Sequence, residues 1–480
     1  MKNSVTPASD NQDESALHLH PVHRDINNRR EIFGWIMYDW ANSAFYTTVV
    51  GALFGDYLTY LAQRAVGENG TVLSFGPLGA VTAKSLSTFA VSASVFLQIF
   101  ILPILGALGD YSDLKKRLMQ VFCYMGVAAT CSLFFLQEGW HLFGAAMFIF
   151  ANVSYGASIV FYNAYLPEIT TEDQRDKVSS RGFAFGYLGG GLLLALNLIM
   201  VQGAGLFGMS KLMAVRLSLL SAGIWWGGFA VFTFSLLKRR PAPRKLPKNR
   251  SYLTIGFTEI GSTFKELLRL RYTLRYLIGY LTYNDGIQTV IGAAGVFLGQ
   301  ELFRARGMET PPSFLLSIFL MVQFVAFFGA LLFERIARWL GTKSAIIISL
   351  VIWAGIVIYA YSMLSTMNEA WIMGGLIAIV LGGSQALSRS LFSRMIPEGR
   401  EASFFGIYEV SERGTSWIGP LVFSIVVART GSYRQALLSL IFFFIAGLLI
   451  LLFTDTNRAV HEAGNYLPEE IEGKAKAESS

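Results

Sequence analysis

The chain has 480 residues, of which 53% are hydrophobic and only 15% are charged, against roughly 25% charged residues in soluble domains. With a mean hydropathy of +0.47, this composition excludes a water-soluble enzyme. The net charge of +7 is explained by membrane topology and by contact with anionic lipid headgroups, so nucleic acid is not an expected partner.

Long apolar stretches alternate along the chain with short polar breaks. Each stretch has about 20 residues, which is enough to cross the hydrocarbon core of a bilayer. We therefore predict an all-α polytopic membrane protein with twelve transmembrane helices. In chain order, the predicted spans cover residues 33–58, 84–108, 118–137, 142–165, 182–202, 215–237, 273–299, 313–335, 344–364, 370–393, 403–427 and 434–454.

The two ends of the chain are polar. Residues 1–30 have no apolar core, so we predict a disordered cytoplasmic tail and no cleavable signal peptide, and a second cytoplasmic tail covers 456–480. The predicted spans contain no histidine, and Cys123 and Cys131 lie in one apolar span without a CxxC pair. We expect no metal, no cofactor and no enzymatic activity.

The distribution of basic residues predicts the orientation. If the N-terminus is cytoplasmic, the loops on that side carry 21 Lys and Arg residues and the opposite loops carry eight. Since basic residues accumulate on the cytoplasmic side, both termini are predicted to be cytoplasmic, in a bacterial inner membrane.

A basic, proline-containing break at 238–272 divides the chain into two six-helix bundles, 31–237 and 273–455. We call these the N-terminal and the C-terminal half. Within the break, GFTEIGSTFKELLR predicts a short surface helix. Short motifs recur in the same order in both halves: Asp39 with Asp285, Gly106 with Gly329, Pro167 with Pro397, and Gly186 with Gly406. Such internal repeats are typical of secondary transporters, which bind substrate between the halves.

A family resemblance rests on several motifs. GALGDYSDLKKR, which follows the second span, resembles the loop motif of the major facilitator superfamily, although Tyr111 and Ser112 replace its usual Arg and Gly. YDWANSAF, FYNAYLPE, SSRGFAFGYLGGG, GGSQALSRS and FFGIYEVSERGTSWIGP together resemble the vacuole-effluxer-like branch. The resemblance covers nearly all of 31–455. It implies amino-acid export, as by the fungal vacuolar permeases of that branch.

Polar residues within predicted spans 1, 4 and 7 form the first candidate site for substrate binding or proton coupling. Because an ionised Asp costs about 2.5–3.5 kcal/mol there, it should face the bundle interior. The resemblance implies that spans 1, 4, 7 and 10 line the cavity, with Asp39 and Asp285 at pseudo-symmetric positions. These acids either bind a substrate amine or carry a proton, or they cap and bridge neighbouring helices. The candidates on spans 1, 4 and 7 are Tyr38, Asp39, Asn42, Asn152, Tyr155, Tyr162, Asn284, Asp285 and Gln288. For the amides and tyrosines, the alternative is hydrogen bonding between helices.

Spans 10 and 11 add Gln385, Arg389, Glu409 and Arg413. Glu409 and Arg413 are four residues apart, a spacing that allows an ion pair. Arg389 could reach Glu409 on the neighbouring helix and form an inner gate, or it could bind a substrate carboxylate with its planar fork. Structural pairing of buried charges is the alternative.

A set of charged residues at the predicted cytoplasmic ends of the spans is assigned to conformational gating. It comprises Asp110, Lys115, Lys116, Arg117, Glu168 and Arg181. Loops made basic by topology alone would not explain Asp110 or Glu168. Gly182, Gly186 and Gly190 form a small-residue face on span 5, which predicts close helix packing.

The expected function is alternating-access transport of small polar solutes, with amino-acid efflux as the first choice and with or without proton coupling. A drug or sugar transporter of the same fold and a non-transporting membrane sensor are the alternatives. The expected partners are the small-molecule substrate, protons if transport is coupled, and the lipid bilayer. We expect a monomer.

Overall fold

The protein is described by a computed structural model that covers residues 26–76, 79–242, 244, 252–414, 417–467 and 470. For residues 252–254, 257, 411, 413 and 414 it describes the backbone and not the side chain. Residues 1–25 of the first predicted tail, and 468–469 and 471–480 of the second, lie outside the described residues.

The N-terminal half is almost entirely helical, with a π-helical segment, Phe45–Leu53, that joins its first two helices. The helices are α1 (Arg29–Ala44), α2 (Phe54–Val66), α3 (Leu86–Asp110), α4 (Lys115–Ser132), α5 (His141–Ile169), α6 (Glu172–Gln202) and α7 (Lys211–Leu236). An antiparallel hairpin of β1 (Thr71–Ser74) and β2 (Ala80–Thr82) follows α2. The all-α prediction did not include this hairpin.

The linker and the C-terminal half continue with helices. They are α8 (Tyr252–Arg269), α9 (Arg271–Leu298), α10 (Pro312–Leu340), α11 (Thr342–Ser362), α12 (Met367–Arg394), α13 (Glu401–Gly414), α14 (Ile418–Thr430), α15 (Tyr433–Ser439), α16 (Ile441–Leu452) and α17 (Thr456–Glu462). The predicted eleventh span covers parts of α13 and α14 and also residues 415–416, which lie outside the described residues.

Nine helical segments in the described part of the chain are long and apolar enough to cross a membrane. They are Ala83–Asp110, Lys115–Phe135, His141–Ile169, Glu172–Gln202, Lys211–Leu236, Pro312–Leu340, Thr342–Ser362, Met367–Arg394 and Tyr433–Leu452. The other three predicted spans are helical as well, and each contains a buried carboxylate, Asp39, Asp285 or Glu409. The count of twelve stays a prediction.

Buried apolar side chains form two large clusters. One consists of residues between 35 and 237, and the other lies between 267 and 460 apart from Ala164. The clusters meet where α3 packs on α13 and where α6 packs on α10 and α12. The exact domain boundaries stay a prediction.

The glycines of span 5 lie against α1 and the π-helical segment that follows it. A Cβ at residue 186 would be 2.7 Å from the Oγ of Ser43, and one at residue 190 would be 2.8 Å from the side chain of Thr47. Neither contact leaves room for a methyl group, so Gly186 and Gly190 allow the two helices to approach closely, as small residues do between membrane helices.

The predicted surface helix of the linker is α8, which contacts both halves. Its Gly256 packs on Ile104 of α3, while Arg400, from the loop before α13, pairs with Glu259 at 3.2 Å and with Glu266 at 2.9 Å. Burial raises the pKa of Glu259, but the hydrogen bond from Ser262 and the nearby arginine charges outweigh it, so this pKa lies below its usual value.

Candidate functional site

Arg389 of α12 inserts its side chain into the N-terminal half, where it is 3% exposed. Its Nε donates to the Ser179 hydroxyl at 2.9 Å and Nη2 donates to the Ser179 carbonyl at 3.0 Å. Nη1 donates to Asn163 Oδ1 at 3.2 Å. Both terminal nitrogens lie 3.5 Å from Asp39 Oδ2. An arginine of one half is therefore bound by three helices of the other half.

Three aromatic rings surround this guanidinium. Its central carbon lies 4.3 Å from the ring centroid of Phe183, 4.9 Å from that of Trp35 and 5.5 Å from that of Tyr162. Trp35 stacks on Tyr162 with centroids 4.3 Å apart, and its indole N–H donates to the Tyr162 carbonyl. The negative faces of aromatic rings attract a cation, so this box stabilises the buried charge together with Asp39.

Asp39 has a second donor, the Tyr162 hydroxyl, at 2.6 Å. Asn163, the next residue on α5, donates to Glu409 Oε1 at 2.7 Å and so links Glu409 to Arg389. We call Asp39, Tyr162, Asn163, Ser179, Arg389 and Glu409 the Arg389 network. The sequence prediction linked Arg389 to Glu409, but its candidate set lacked both Asn163 and Ser179.

Asp110 closes a second contact between the halves. Its carboxylate accepts from the backbone N–H groups of Ala402 and Ser403, both at 2.9 Å, and from the Ser403 hydroxyl. It thereby caps the N-terminus of α13, where a negative charge is favourable. Lys115 and Glu168, also predicted to act in gating, form an ion pair nearby.

A third contact is centred on Asp176 of α6, which the sequence analysis did not select. Asp176 accepts from the hydroxyls of Ser390, at 2.6 Å, and Thr342, at 2.5 Å, and pairs with Arg394 at 2.9 Å. All of these residues lie at the predicted cytoplasmic ends of their helices. The sequence alone did not distinguish Asp176 from the other acids of this stretch, Glu172 and Asp173.

Asp285 has a different environment from Asp39. Its Oδ2 accepts from the backbone N–H of Gly419 at 2.9 Å, in the first turn of α14. The neighbouring Asn284 donates to the backbone carbonyl of Glu412 at 3.3 Å. The acid therefore binds a helix terminus within its own half, which is the capping role given above as the alternative.

The other predicted residues of the N-terminal half lie mostly within that half. Tyr38 is buried and packs on Phe234, and Asn152 donates to the Ser94 hydroxyl at 2.7 Å, a hydrogen bond between two helices. Tyr155 packs on Phe45, and Asn42 is buried.

The remaining predicted residues are divided between the halves and the surface. Gln385 accepts from the Tyr187 hydroxyl of the N-terminal half at 2.7 Å, and Gln288 is half-buried. Lys116 donates to the Leu237 carbonyl. Arg117 and Arg181 are exposed, and the side chain of Arg413 lies outside the described residues.

Solved structures with similar architecture identify the fold. The human organic anion transporter MFSD10 matches 88% of this chain and 99% of its own with a TM-score of 0.63 and 15% identity. The transporter FucP, in its outward conformation, matches 89% of this chain and 99% of its own with a TM-score of 0.62 and 11% identity. Both proteins are described as transporters, and the fold of this chain is that of the major facilitator superfamily.

The sequence comparisons resolve the branch. A family model described as "Vacuole effluxer Atg22 like" matches residues 27–464, and the chain belongs to that family. The uncharacterised MFS-type transporter YxiO of Bacillus subtilis is 30% identical, over 90% of this chain and 97% of its own length. Autophagy-related protein 22-2 of Penicillium rubens is 25% identical, over 88% and 87%.

Proposed function

We propose that this membrane transporter exports amino acids by alternating access, as a monomer in a bacterial cytoplasmic membrane with both termini inside. The effluxer family and the relative from Bacillus subtilis support the direction and the membrane, and the loop charges support the orientation.

The Arg389 network carries the proposal. The hydrogen bonds of Arg389, Asp110 and Asp176 join the halves at their predicted cytoplasmic ends, which describes a transporter whose inner side is closed. Opening this side separates Arg389 from Asp39. The guanidinium and the carboxylate then face each other across the opened inner side, next to aromatic rings.

These two groups suit a zwitterion. The planar fork of Arg389 fits a substrate α-carboxylate, and Asp39 fits an α-ammonium group. Binding of an amino acid from the cytoplasm would compete with the pair that closes the inner side. Its release on the other side would allow Arg389 and Asp39 to meet again.

Proton coupling is the second element of the proposal. A proton on Asp39 would remove the charge that pairs with Arg389, so protonation and substrate would act on the same contact. In an uncoupled transporter the substrate alone would separate the pair.

The test is flux of an amino-acid mixture in proteoliposomes, with and without a proton gradient. We expect uptake or release of a subset of amino acids by the native protein, and at least a tenfold loss in Arg389→Gln. The matched control, Arg64→Gln, removes an arginine that pairs with Glu138 at the surface and should retain native flux. Gradient-driven flux that persists in Asp39→Asn would eliminate Asp39 as the proton carrier.

The aromatic box gives the same experiment a second outcome. Trp35, Tyr162 and Phe183 also suit a sugar ring or an aromatic drug, so flux of such solutes in the absence of amino-acid flux would replace the substrate proposed here. Ligand binding without flux of any solute would support the membrane sensor instead.

A further inference from the structure

A basic pocket lies at the predicted cytoplasmic surface of the N-terminal half, away from the Arg389 network. It has a volume of about 400 Å³. Its lining residues come from the loop between α3 and α4, from the first turn of α4 and from the chain that follows α7: Asp113, Leu114, Arg117, Arg239, Arg240 and Pro241.

The two acids near this pocket are already bound. Glu31 is buried and accepts from Arg240 Nη2 at 2.8 Å, and Asp113 accepts from the backbone N–H of Ala242. Arg117 and Arg239 are exposed, and within the described part of the chain no acceptor pairs with either. Asp113 is the single acid among the lining residues, so Arg117 and Arg239 leave the pocket with a net positive charge.

The same helices present an apolar surface beside the pocket. Val121 and Tyr124 follow Arg117 by four and seven residues on α4, so they share its face, and they are 52% and 40% exposed. α7 ends at Leu236, before Arg239, and its Phe232 is 50% exposed. On α4, the basic pocket thus continues into exposed apolar side chains of a predicted membrane span.

We propose that this pocket binds the headgroup phosphate of an anionic phospholipid, with the acyl chains along α4 and α7. Arg117 and Arg239 bind the phosphate oxygens, as basic pockets on the cytoplasmic side of membrane proteins do. A zwitterionic lipid is disfavoured because the pocket has a net positive charge and Glu31, the buried acid beside it, is already paired with Arg240. Because Val121 and Tyr124 lie on a predicted membrane span beside Arg117, lipid headgroups are present at the height of the pocket, which favours a lipid phosphate over a soluble one. This inference does not depend on which solute is transported.

The test compares lipid binding by the full-length protein in mixed micelles of phosphatidylglycerol or phosphatidylcholine. Thermal stability and the amount of lipid retained in native mass spectrometry are the two readouts. We expect phosphatidylglycerol to bind more tightly and to raise the melting temperature. Replacing both arginines, in Arg117→Gln/Arg239→Gln, should weaken its binding by about 25-fold, which is about fivefold for each arginine.

Two further variants keep the test decisive if the double variant is poorly folded. Arg117→Lys/Arg239→Lys retains the charge and should keep most of the binding. Arg335→Gln removes an exposed arginine on the same predicted membrane face and should bind like the native protein. Equal binding of the two lipids by the native protein, or native affinity in the double glutamine variant, would overturn the proposal. So would full stabilisation by inorganic phosphate without lipid, since that would identify a soluble anion site.

Discussion

Replacing Arg389 by alanine should shift the protein from the inner-closed to the inner-open state. At the observed 3.5 Å from Asp39, a unit-charge pair at an effective dielectric of about 20 interacts with roughly 5 kcal/mol. Desolvation offsets part of this attraction, and breaking one side of a buried pair typically costs about 3–5 kcal/mol. Because opening the inner side would hydrate Asp39, we expect the cost to appear in the conformational equilibrium, as a shift of at least about 100-fold.

The assay is the distance between spin labels on Arg117 and Arg335, which are exposed at the inner ends of the two halves. The native protein should give the shorter distance, and Arg389→Ala the longer one. A double-mutant cycle with Asp39→Ala measures the coupling between the two side chains. Strictly additive effects, or a native distance in Arg389→Ala, would show that the pair does not hold the inner side closed.

Three further predictions concern single contacts. Gly182→Ala should open the inner side as Arg389→Ala does, because a Cβ at residue 182 would lie 2.5 Å from Asp39 Oδ2. The control is Gly228→Ala, since a Cβ at residue 228 would meet no atom within 4 Å. Equal distances between the spin labels in the two variants would contradict the prediction. Asp285→Asn should lower the free energy of unfolding by about 0.3–2 kcal/mol, which is the effect of losing a negative charge at a helix N-terminus. Loss of gradient-driven flux at unchanged stability would instead assign Asp285 a role in proton coupling. Glu259→Gln should lower the melting temperature at pH 7. The difference should disappear as the pH falls through the lowered folded-state pKa of Glu259, because that pKa adds stability in full above the unfolded-state value and none below the folded-state one. A difference that persists after full protonation of the carboxylate would refute this assignment.

The helices and the family could be predicted from the sequence because both depend on local information. Apolar runs of sufficient length define the membrane helices, and long motifs define the branch. The β1–β2 hairpin was not predicted in this way, because its two strands, of four and three residues, are far shorter than the apolar runs that define the helices.

The residues of the candidate site could be predicted only in part, because the tertiary fold decides which side chains meet there. Asp39, Tyr162, Arg389 and Glu409 were recognisable because each places a polar or ionisable group at membrane depth. Asn163 and Ser179 are short polar residues of a kind that also occurs in ordinary helix packing, and only the path of the Arg389 side chain shows their part. The internal repeat paired Asp39 with Asp285, yet one acid binds an arginine and the other a helix terminus, because equivalent positions in the two halves have different neighbours.

The contact at Gly182 constrains how the sequence can vary. Position 182 lies between Asp39 and Arg389, with a prospective Cβ 2.5 Å from one and 3.1 Å from the other. A larger residue at 182 is compatible with the fold only if position 39 or 389 becomes shorter as well. Three positions separated by up to 350 residues should therefore change together among relatives, and the record of their joint substitutions would trace which members of the family keep this ion pair.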